Sequence, residues 1–379
     1  MRVRWLAPFA CKSGYAQATH DYLLALHRAG VELDIVPIVD ANSEDLHPRY
    51  HELLPLVGKH LNDQDWPTHV VVHTVPGYAN EFVTGSMATK AKKICVTTWE
   101  MDPIPEWIVK KLMVFDEIIV PSIFNLDLFL SQGRLVSVIP HCFDSDYWTV
   151  PKTKPEKPFQ FYWIGDWSDR KNPVGVFKAF CHEFQGDEPV KLKMLSAGSK
   201  GALDDLELFK ICCEDDNLPE IELVTDYLSE SELLKLHQES HCYVSPHRAE
   251  GFGLGAFEAC LVGNPVVATN YSGVTDFLQY PHDYLADYID SPAISNPNLS
   301  IKNVDLGAGI SVKSITKLEP MGINIRQIWA EPSLLDIAAG MRMAFDGGLC
   351  KSPEYIEKFR ERYSYHTVAG DLIETLGRV

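Results

Sequence analysis

The chain has 379 residues, 46% of them hydrophobic and 23% charged, and its formal net charge is −18 at pH 7. A chain of this length is too long for one ordinary hydrophobic core and predicts two domains. The composition is typical of soluble globular proteins. No segment has the roughly 20 consecutive apolar residues of a membrane span. The negative charge disfavours a nucleic acid or an anionic membrane as a partner, because such surfaces are held by clustered Lys and Arg.

The first half of the chain alternates strands and helices in the manner of a parallel sheet. A strand over residues 3–8 leads through a glycine turn at Lys12-Ser13-Gly14 into an amphipathic helix over 15–28 and a second strand over 31–39. Further runs of β-branched residues predict buried strands at 69–73, 94–98, 117–120 and 136–139. This order predicts a doubly wound, Rossmann-like N-terminal domain over residues 1–150.

A polar, proline-punctuated segment, residues 149–158, cannot continue a helix or a central strand and is interpreted as the interdomain linker. After it the alternation resumes, with strands at 159–164, 190–195, 221–224 and 241–246 and helices at 172–183 and 229–239. We expect a second Rossmann-like domain over 151–362, facing the first across a cleft at the carboxyl ends of the strands. Residues 363–379 have helical spacing and predict a C-terminal helix able to pack back on the N-terminal domain.

Residues 280–321 lose this periodicity and are rich in Pro, Asn, Ser and Gly. Such a stretch is longer than a compact domain usually leaves without regular structure. It indicates either a functional lid or a loop that carries short strands, and the sequence does not decide between them.

The nine cysteines are scattered along the chain. The one close pair, Cys212-Cys213, is adjacent in sequence, so neither a disulfide framework nor a metal-binding CxxC motif is indicated. Reduced thiols of this kind predict a cytoplasmic protein.

The most informative segment is Glu250-Gly251-Phe252-Gly253-Leu254-Gly255-Ala256-Phe257-Glu258, which follows the strand over 241–246 and opens a short helix over 256–262. A glycine turn between strand and helix directs bare N–H groups and the positive end of the helix dipole at a docking group, and this favours a phosphate. A nucleotide-sugar fits the layout, with its diphosphate over the amides, Glu258 at the ribose hydroxyls and Glu250 at the sugar hydroxyls. Ionised carboxylates are acceptor-only groups and suit paired OH donors.

Two cations, Arg170 and Lys171, follow the strand over 159–164 at the start of the next helix. A planar guanidinium fork beside an ammonium point charge suits the oxygens of a diphosphate, and cations at a helix N-terminus are unfavourable unless an anion binds there. The first glycine turn, with Gly14 and Tyr15, offers a second amide cluster for the same phosphates. Ordinary turn chemistry is the alternative interpretation of that turn.

These motifs resemble those of GT-B retaining glycosyltransferases, in the large group 1 family of bacterial mannosyl- and glucosyltransferases. The run 245–259 is similar to that family's E-x7-E signature, and the resemblance covers nearly the whole chain. Other similar fragments occur in the expected order, at Val120-Pro121-Ser122-Ile123-Phe124-Asn125, Val138-Ile139-Pro140-His141, Arg170-Lys171-Asn172-Pro173 and Trp329-Ala330-Glu331-Pro332. The resemblance implies two Rossmann-like domains facing each other across a cleft.

The resemblance also implies an activity, the retaining transfer of a sugar from a nucleotide-diphosphate-sugar to a hydroxyl acceptor. Glu258 would bind the ribose of the donor, Arg170 and Lys171 its diphosphate, and Glu250 the transferred sugar. The amides that follow Glu250 would contact the same sugar, at Gly251, Phe252, Gly253 and Leu254. Stabilisation of the departing nucleoside diphosphate by fixed cations and amides would be the main catalytic device. No aspartate-x-aspartate motif stands at a strand end, so we expect no metal ion and no cofactor beyond the nucleotide-sugar.

Two positions depart from the family pattern. Asp166 stands where many relatives have an arginine, which leaves the cationic role to Arg170 and Lys171. Glu100 stands near a position where many relatives have a histidine, and it is either a hydroxyl orienter or proton acceptor on the acceptor side, or a surface carboxylate. His247 is a further donor-binding candidate, although a lone histidine near a strand end is more often packed than catalytic.

Three other classes of function remain open on sequence grounds. A nucleotide-sugar epimerase would use the same diphosphate cradle without a second substrate. The run Gly251-Phe252-Gly253-Leu254-Gly255-Ala256 also matches the G-x-G-x-x-A fingerprint of an NAD-dependent oxidoreductase, but that motif normally follows the first strand of its domain. A binding protein with a degenerate site is the third. The donor base, its sugar, and a saccharide, lipid-linked or small-molecule acceptor are not specified by the sequence.

Overall fold

The computed structural model describes residues 1–9, 11, 13–38, 46–63, 66–83, 90–130, 133, 135–156, 158–199, 201–212 (209–212 as backbone), 217–293 and 327–378. Lys12 of the predicted first turn, Val39 at the end of the predicted second strand, and residues 294–321 of the predicted irregular segment lie outside this part of the chain. The chain divides into two compact units, one formed by Met1–Trp148 with Lys358–Val379 and the other by Thr149–Glu357.

The first unit is a parallel sheet with helices. Its strands are β1 (Arg2–Ala7), β2 (Glu32–Pro37), β3 (His69–His73), β4 (Lys92–Val96), β5 (Glu117–Val120) and β6 (Val136–Val138), and its helices include α1 (Gly14–Arg28), α2 (Glu106–Leu112) and α3 (Ile123–Leu130). Short 3-10 helices lie at Pro48–Leu56 and Ala79–Phe82. The strand order is β2-β1-β3-β4-β5-β6, and the strand pairs are parallel.

Local sequence explains where α1 begins and what covers it. Ser13 is its N-cap and accepts a hydrogen bond from the Ala16 amide at 3.2 Å, which satisfies one of the donors at the helix start. The C-terminal helix of the chain packs against α1, and its apolar residues join the same core as Leu23 and Leu26. Those residues are Val368, Ala369, Leu372 and Leu376.

The second unit repeats the architecture. Its strands are β7 (Phe159–Ile164), β8 (Val190–Leu195), β9 (Glu220–Val224), β10 (Cys242–Ser245), β11 (Val266–Thr269) and β12 (Tyr284–Ala286), followed by the antiparallel pair β13 (Tyr288–Pro292) and β14 (Ile328–Pro332). Its helices are α4 (Pro173–Glu183), α5 (Gly201–Cys212), α6 (Glu230–Glu239), α7 (Leu254–Leu261), a 3-10 turn at Ser272–Asp276, and α8 (Leu334–Phe345). Two more helices, α9 (Pro353–Arg362) and α10 (Tyr365–Gly377), end the chain, and α10 belongs to the first unit.

The main sheet of the second unit has the order β12-β11-β10-β7-β8-β9, with parallel strand pairs. The chain therefore builds outward from β7 in one direction through β8 and β9, and from β10 in the other direction through β11 and β12. The point where the order reverses, between β7 and β10, is where open α/β sheets form a ligand crevice. Both units thus confirm the predicted doubly wound, parallel α/β class.

Part of the segment predicted to be irregular is regular. Residues 284–286 and 288–292 form β12 and β13. The sequence pattern did not predict β13 because this strand is largely exposed. Ile289 is 71% exposed and Tyr288 is 38% exposed, so apolar and polar residues do not alternate between a buried face and a solvated face. Of the two interpretations of this segment, the part that is described has the short strands.

Candidate functional site

The site predicted from the glycine-rich segment lies at the reversal point of the second sheet. Strands β7 and β10 are neighbours, with Tyr162 paired to Tyr243, and the loops that follow them carry the predicted cations and the predicted carboxylate. Because both strands run in the same direction, their carboxyl ends bring residues 165–172 and 246–253 to one edge of the sheet.

Asn172 holds these two loops together. It adopts a left-handed conformation with φ 51° and caps α4, because its side chain accepts a hydrogen bond from the Gly175 amide at 3.1 Å. The same side chain donates to the Pro246 carbonyl at 3.0 Å, and the Arg248 amide donates to the Arg170 carbonyl at 2.8 Å. Asn172 is buried. Its hydrogen bonds fix the backbone that carries Arg170 and Lys171.

Arg170 and Lys171 both contact Glu250. The Lys171 ammonium donates to Oε1 of Glu250, and Nη1 of Arg170 lies 3.2 Å from Oε2 and donates to the Ala249 carbonyl at 2.8 Å. Glu250 is buried, whereas the two cations are about one fifth exposed. The cluster has two positive charges and one negative charge. Its formal charge of +1 favours an anion beside it.

The protonation of Glu250 follows from its neighbours. Burial on its own raises the pKa of a carboxyl group, but the charges of Lys171 and Arg170 outweigh that effect and lower the pKa of Glu250 to about 2. Glu250 is therefore an anion at any ordinary pH. It can accept hydrogen bonds from hydroxyl groups, and it has no proton to donate as a general acid.

The backbone of Glu250 is held as firmly as its side chain. Its amide donates to Oγ of Ser272 at 2.8 Å, and its carbonyl accepts from the Gly273 amide at 3.0 Å. Ser272 opens the 3-10 turn after β11 and has φ 63°. The loop that follows β11 thus holds the glycine turn through Ser272 and Gly273. This contact was not predicted from the sequence.

Helix α7 begins at Leu254, two residues earlier than predicted. Gly253 is its N-cap with φ 92° and makes no side-chain cap hydrogen bond, so the first-turn amides of this eight-residue helix are not capped by that residue. Such amides at the positive end of the helix dipole are the feature that favours a phosphate. The side chain of Phe252 packs with Phe257 and Phe277 at ring-centroid distances of 5.2 and 5.1 Å.

We expect Gly253→Ala to destabilise the second unit by roughly 2–4 kcal/mol, since the left-handed backbone conformation and a close contact both penalise a Cβ atom. A Cβ at Gly253 would lie 2.5 Å from Cγ1 of the buried Val274. Gly347→Ala is the matched control, because Gly347 has φ 80° with nothing within 4 Å of a Cβ, and it should lose only about 1 kcal/mol. Urea unfolding of both variants is the measurement, and equal losses would contradict the role of the Val274 contact.

Glu258 lies on α7 and is buried with a polar partner. Its Oε2 accepts from Nε2 of His237 on α6 at 3.2 Å, and Nδ1 of His237 is 2.8 Å from the hydroxyl of Tyr162 on β7. His237 and Tyr162 are fully buried, and Glu258 is 5% exposed. Neither His237 nor Tyr162 was predicted as a site residue, because no spacing rule links residues on three separate elements.

His247 is buried directly after β10. Its Nδ1 is 3.0 Å from the Ser245 carbonyl and its Nε2 is 3.1 Å from the Tyr271 carbonyl. Burial lowers the pKa of His247, and the nearby charge of Glu250 opposes that effect. Through these contacts His247 connects the end of β10 to the residue before the Ser272 turn and stabilises the two loops. A direct contact of His247 with a donor remains a prediction.

Three predicted site residues lie in the first unit. Gly14 is the exposed first residue of α1, so it is a helical residue and not the turn residue of the predicted interpretation. The hydroxyl of Tyr15 is 3.4 Å from the Thr98 carbonyl and 3.3 Å from the Thr98 amide, and burial, assisted by the charge of Glu100, raises the pKa of Tyr15. The unit therefore brings Tyr15 close to the segment that carries Glu100, which is partly exposed.

Two further observations bear on the chemistry of the chain. Among the residues that the structure describes, there is no group of three or more His, Cys, Asp or Glu side chains able to hold a metal ion. Within the same residues, no helix has the length and apolar character needed to cross a membrane.

Comparison with known proteins supports the resemblance noted in the sequence. A family model described as glycosyl transferases group 1 matches residues 144–282, a little over a third of the chain. A search of curated protein sequences finds no significant match.

Solved structures are similar in fold over the whole chain. HepE from Anabaena, in complex with UDP and glucose, has a TM-score of 0.64 at 15% identity and full coverage of both chains. The lipopolysaccharide outer core galactosyltransferase WaaB has a TM-score of 0.62 at 11% identity, and sucrose-phosphate synthase from Thermosynechococcus elongatus has 0.60 at 13%, each with 99% of both chains covered. This likeness in fold and the two parallel α/β sheets confirm the predicted GT-B fold class with two Rossmann-like domains.

Proposed function

We propose that this chain, whose residues 144–282 match the family model for glycosyl transferases group 1, transfers a sugar from a nucleotide-diphosphate-sugar to a hydroxyl acceptor. We propose further that the transfer retains the anomeric configuration and needs no metal ion. The observation that carries the proposal is the cluster of Arg170, Lys171 and Glu250 at the reversal point of the second sheet. HepE, with the same fold, has been crystallised in complex with UDP-glucose, and this supports the choice of donor class.

The charges of the cluster fit the parts of such a donor. Arg170 and Lys171, which contact Glu250, would also donate hydrogen bonds to the diphosphate. The diphosphate would lie over the amides at the start of α7. Glu250, an anion with a pKa of about 2, would accept hydrogen bonds from hydroxyls of the transferred sugar. Glu258 would accept from the ribose diol. Each group then meets an atom of opposite polarity.

The chemical step would depend on stabilisation of the leaving group. The bond between the anomeric carbon and the diphosphate oxygen breaks as the acceptor oxygen bonds to the same carbon from the same face. The proton of the acceptor passes to the departing phosphate, and the two cations stabilise the charge that develops there. Fixed cations and helix amides supply this stabilisation in place of a metal ion, and no covalent glycosyl-enzyme is formed.

The first unit would bind the acceptor. Glu100 is proposed as a group that orients the acceptor hydroxyl, and the amides near Gly14 and Tyr15 as a further group suited to binding phosphate. A saccharide, a lipid-linked saccharide or a small molecule all satisfy the requirement for a hydroxyl group.

A screen of nucleotide-sugars by thermal stabilisation tests the donor class. We expect one of UDP-glucose, UDP-N-acetylglucosamine, ADP-glucose and GDP-mannose to raise Tm, because a ligand at about 100 times its Kd adds roughly 2.7 kcal/mol to the native state. With that donor, hydrolysis and transfer should persist in excess EDTA, and NMR of the product should show the anomeric configuration of the donor. Failure of every nucleotide-sugar to bind would overturn the proposal, and a trapped glycosyl-enzyme adduct would overturn the mechanism.

A further inference from the structure

A buried set of hydrogen bonds connects Glu258 to the start of the second unit. Lys154 donates to Oδ1 of Asn264, Nδ2 of Asn264 lies 3.0 Å from the hydroxyl of Tyr162, Tyr162 lies 2.8 Å from Nδ1 of His237, and His237 lies 3.2 Å from Glu258. We call these five residues the Lys154–Glu258 network. Asn264, Tyr162 and His237 are fully buried, so each polar atom needs a partner of the correct polarity.

The direction of every hydrogen bond in the network is fixed by its two ends. An ammonium group is donor-only, so the Lys154 contact makes Oδ1 the amide atom of Asn264 that accepts, and Nδ2 must donate to Tyr162. Burial lowers the pKa of Lys154 to about 8. This value is still above neutral pH, so the side chain is an ammonium group there. Two other carbonyls support this charge, those of Ser240 at 2.5 Å and Gln238 at 3.3 Å.

The remaining hydrogen bonds of the network continue in the same direction. The hydroxyl of Tyr162 accepts from Asn264, so its own hydrogen points at Nδ1 of His237. Nδ1 must then be the acceptor nitrogen, and Nε2 must carry the hydrogen that is donated to the acceptor-only carboxylate of Glu258. Four successive donors all point toward Glu258, and this direction gives His237 the Nε2–H tautomer.

This arrangement has a consequence for nucleotide binding, which rests on the proposed function. A carboxylate has about four acceptor positions, and the bond from His237 occupies one of them. We propose that His237 is a positioning residue, oriented by Tyr162, that holds the Glu258 carboxylate in the geometry that recognises the ribose hydroxyls of the donor. A carboxylate fixed before the ligand arrives loses less conformational entropy on binding.

The tautomer is the first measurement. Long-range 1H–15N spectra of the histidine-labelled protein, with His237 assigned from the spectrum of His237→Gln, should show a neutral ring with the hydrogen on Nε2. An Nδ1–H tautomer or an imidazolium ring would overturn the inference, because the hydroxyl of Tyr162 would then face a donor. This readout needs no nucleotide, so it does not depend on the proposed function.

The second measurement compares affinities for UDP, GDP and ADP with those for their 2′,3′-dideoxy analogues by calorimetry. For the nucleotide that binds, the wild type should prefer the ribose form by about 10- to 100-fold, the range for hydrogen bonds to a charged group. His237→Leu should lose most of this preference, and His237→Gln less, since Gln retains a donor for Glu258. Tyr162→Phe, which removes one buried oxygen atom, should lose part of it, while affinity for the dideoxy nucleotide stays unchanged in all three variants.

The matched control is Tyr284→Phe, which removes a tyrosine hydroxyl bonded to Asp336 at 2.5 Å in the same unit and should leave the ribose preference at the wild-type value. A purely structural role for His237 would weaken ribose and dideoxy nucleotides equally, and an unchanged preference in His237→Leu would overturn the inference while the proposed function stands. If the wild type binds no nucleotide, the proposed function fails and the inference fails with it.

Discussion

Replacing Lys171 with Ala is expected to lower kcat for sugar transfer about 100- to 1000-fold, the range observed when one group that stabilises developing transition-state charge is removed. The ammonium group of Lys171 contacts Glu250 beside the start of α7, where we place the departing diphosphate. Its loss removes one of two cations and leaves the remaining pair, Arg170 and Glu250, with no net charge. Steady-state kinetics with the donor found in the screen are the measurement.

The control for that experiment is Lys193→Ala. Lys193 is a partly exposed lysine in the same unit, paired with Glu222 at 2.7 Å on strands β8 and β9, so the substitution and the lost ion pair are the same while the location differs. It should leave kcat within a factor of two of the wild type, because such surface pairs contribute roughly 0–1 kcal/mol. A reduction of kcat by Lys171→Ala no larger than that of the control would contradict the role assigned to this cation.

The glycine-rich segment was the part of the site that the sequence could predict. A strand of buried residues, a run of three alternate glycines and a short apolar helix define a strand-turn-helix unit whose geometry depends on residues that are neighbours in the chain. Gly253 has the left-handed conformation that such a turn requires. The two strands whose loops meet, β7 and β10, were also predicted, because each is a short run with several aromatic or β-branched residues.

The pairings across the site could not be predicted from spacing. Lys171 and Glu250 are 79 residues apart in the chain, and their contact exists because β10 inserts beside β7 and not beside β9. The same strand order brings Ser272 under Glu250. His237 contacts Glu258 across α6 and α7, the helices that come before and after β10 in the chain. A single histidine in an amphipathic helix does not indicate such a partner.

Arg170 and Lys171 were predicted to bind the diphosphate alone, whereas the structure adds Glu250 as their common partner. A carboxylate between two cations keeps both side chains at the site when no anion is bound, and it lowers the cost of burying them. The same contact keeps Glu250 ionised. One cluster therefore accounts for the orientation of the cations and for the acceptor character of the carboxylate.

Because of Glu250, the free energy of unfolding of the second unit should fall steeply at acidic pH. Its pKa is about 2 in the folded chain and 4.5 as a free side chain, and one pKa unit corresponds to about 1.4 kcal/mol, so the ionised form stabilises the folded state by roughly 3 kcal/mol. Because the folded-state pKa is the lower one, this contribution is fully present above pH 4.5 and is lost as the pH falls from 4.5 to about 2.

The difference in unfolding free energy between the wild type and Glu250→Gln isolates this contribution, since the other carboxyl groups titrate in both proteins. We expect a difference of roughly 3 kcal/mol at pH 7 that shrinks steadily below pH 4.5. Urea denaturation with pulsed hydrogen exchange reads the peptides of β7 and β10 separately from those of the first unit. Glu222→Gln, which breaks a partly exposed pair, should differ from the wild type by less than about 1 kcal/mol throughout. A difference for Glu250→Gln that does not change between pH 7 and pH 3 would show that the two cations do not hold this carboxylate in its ionised form.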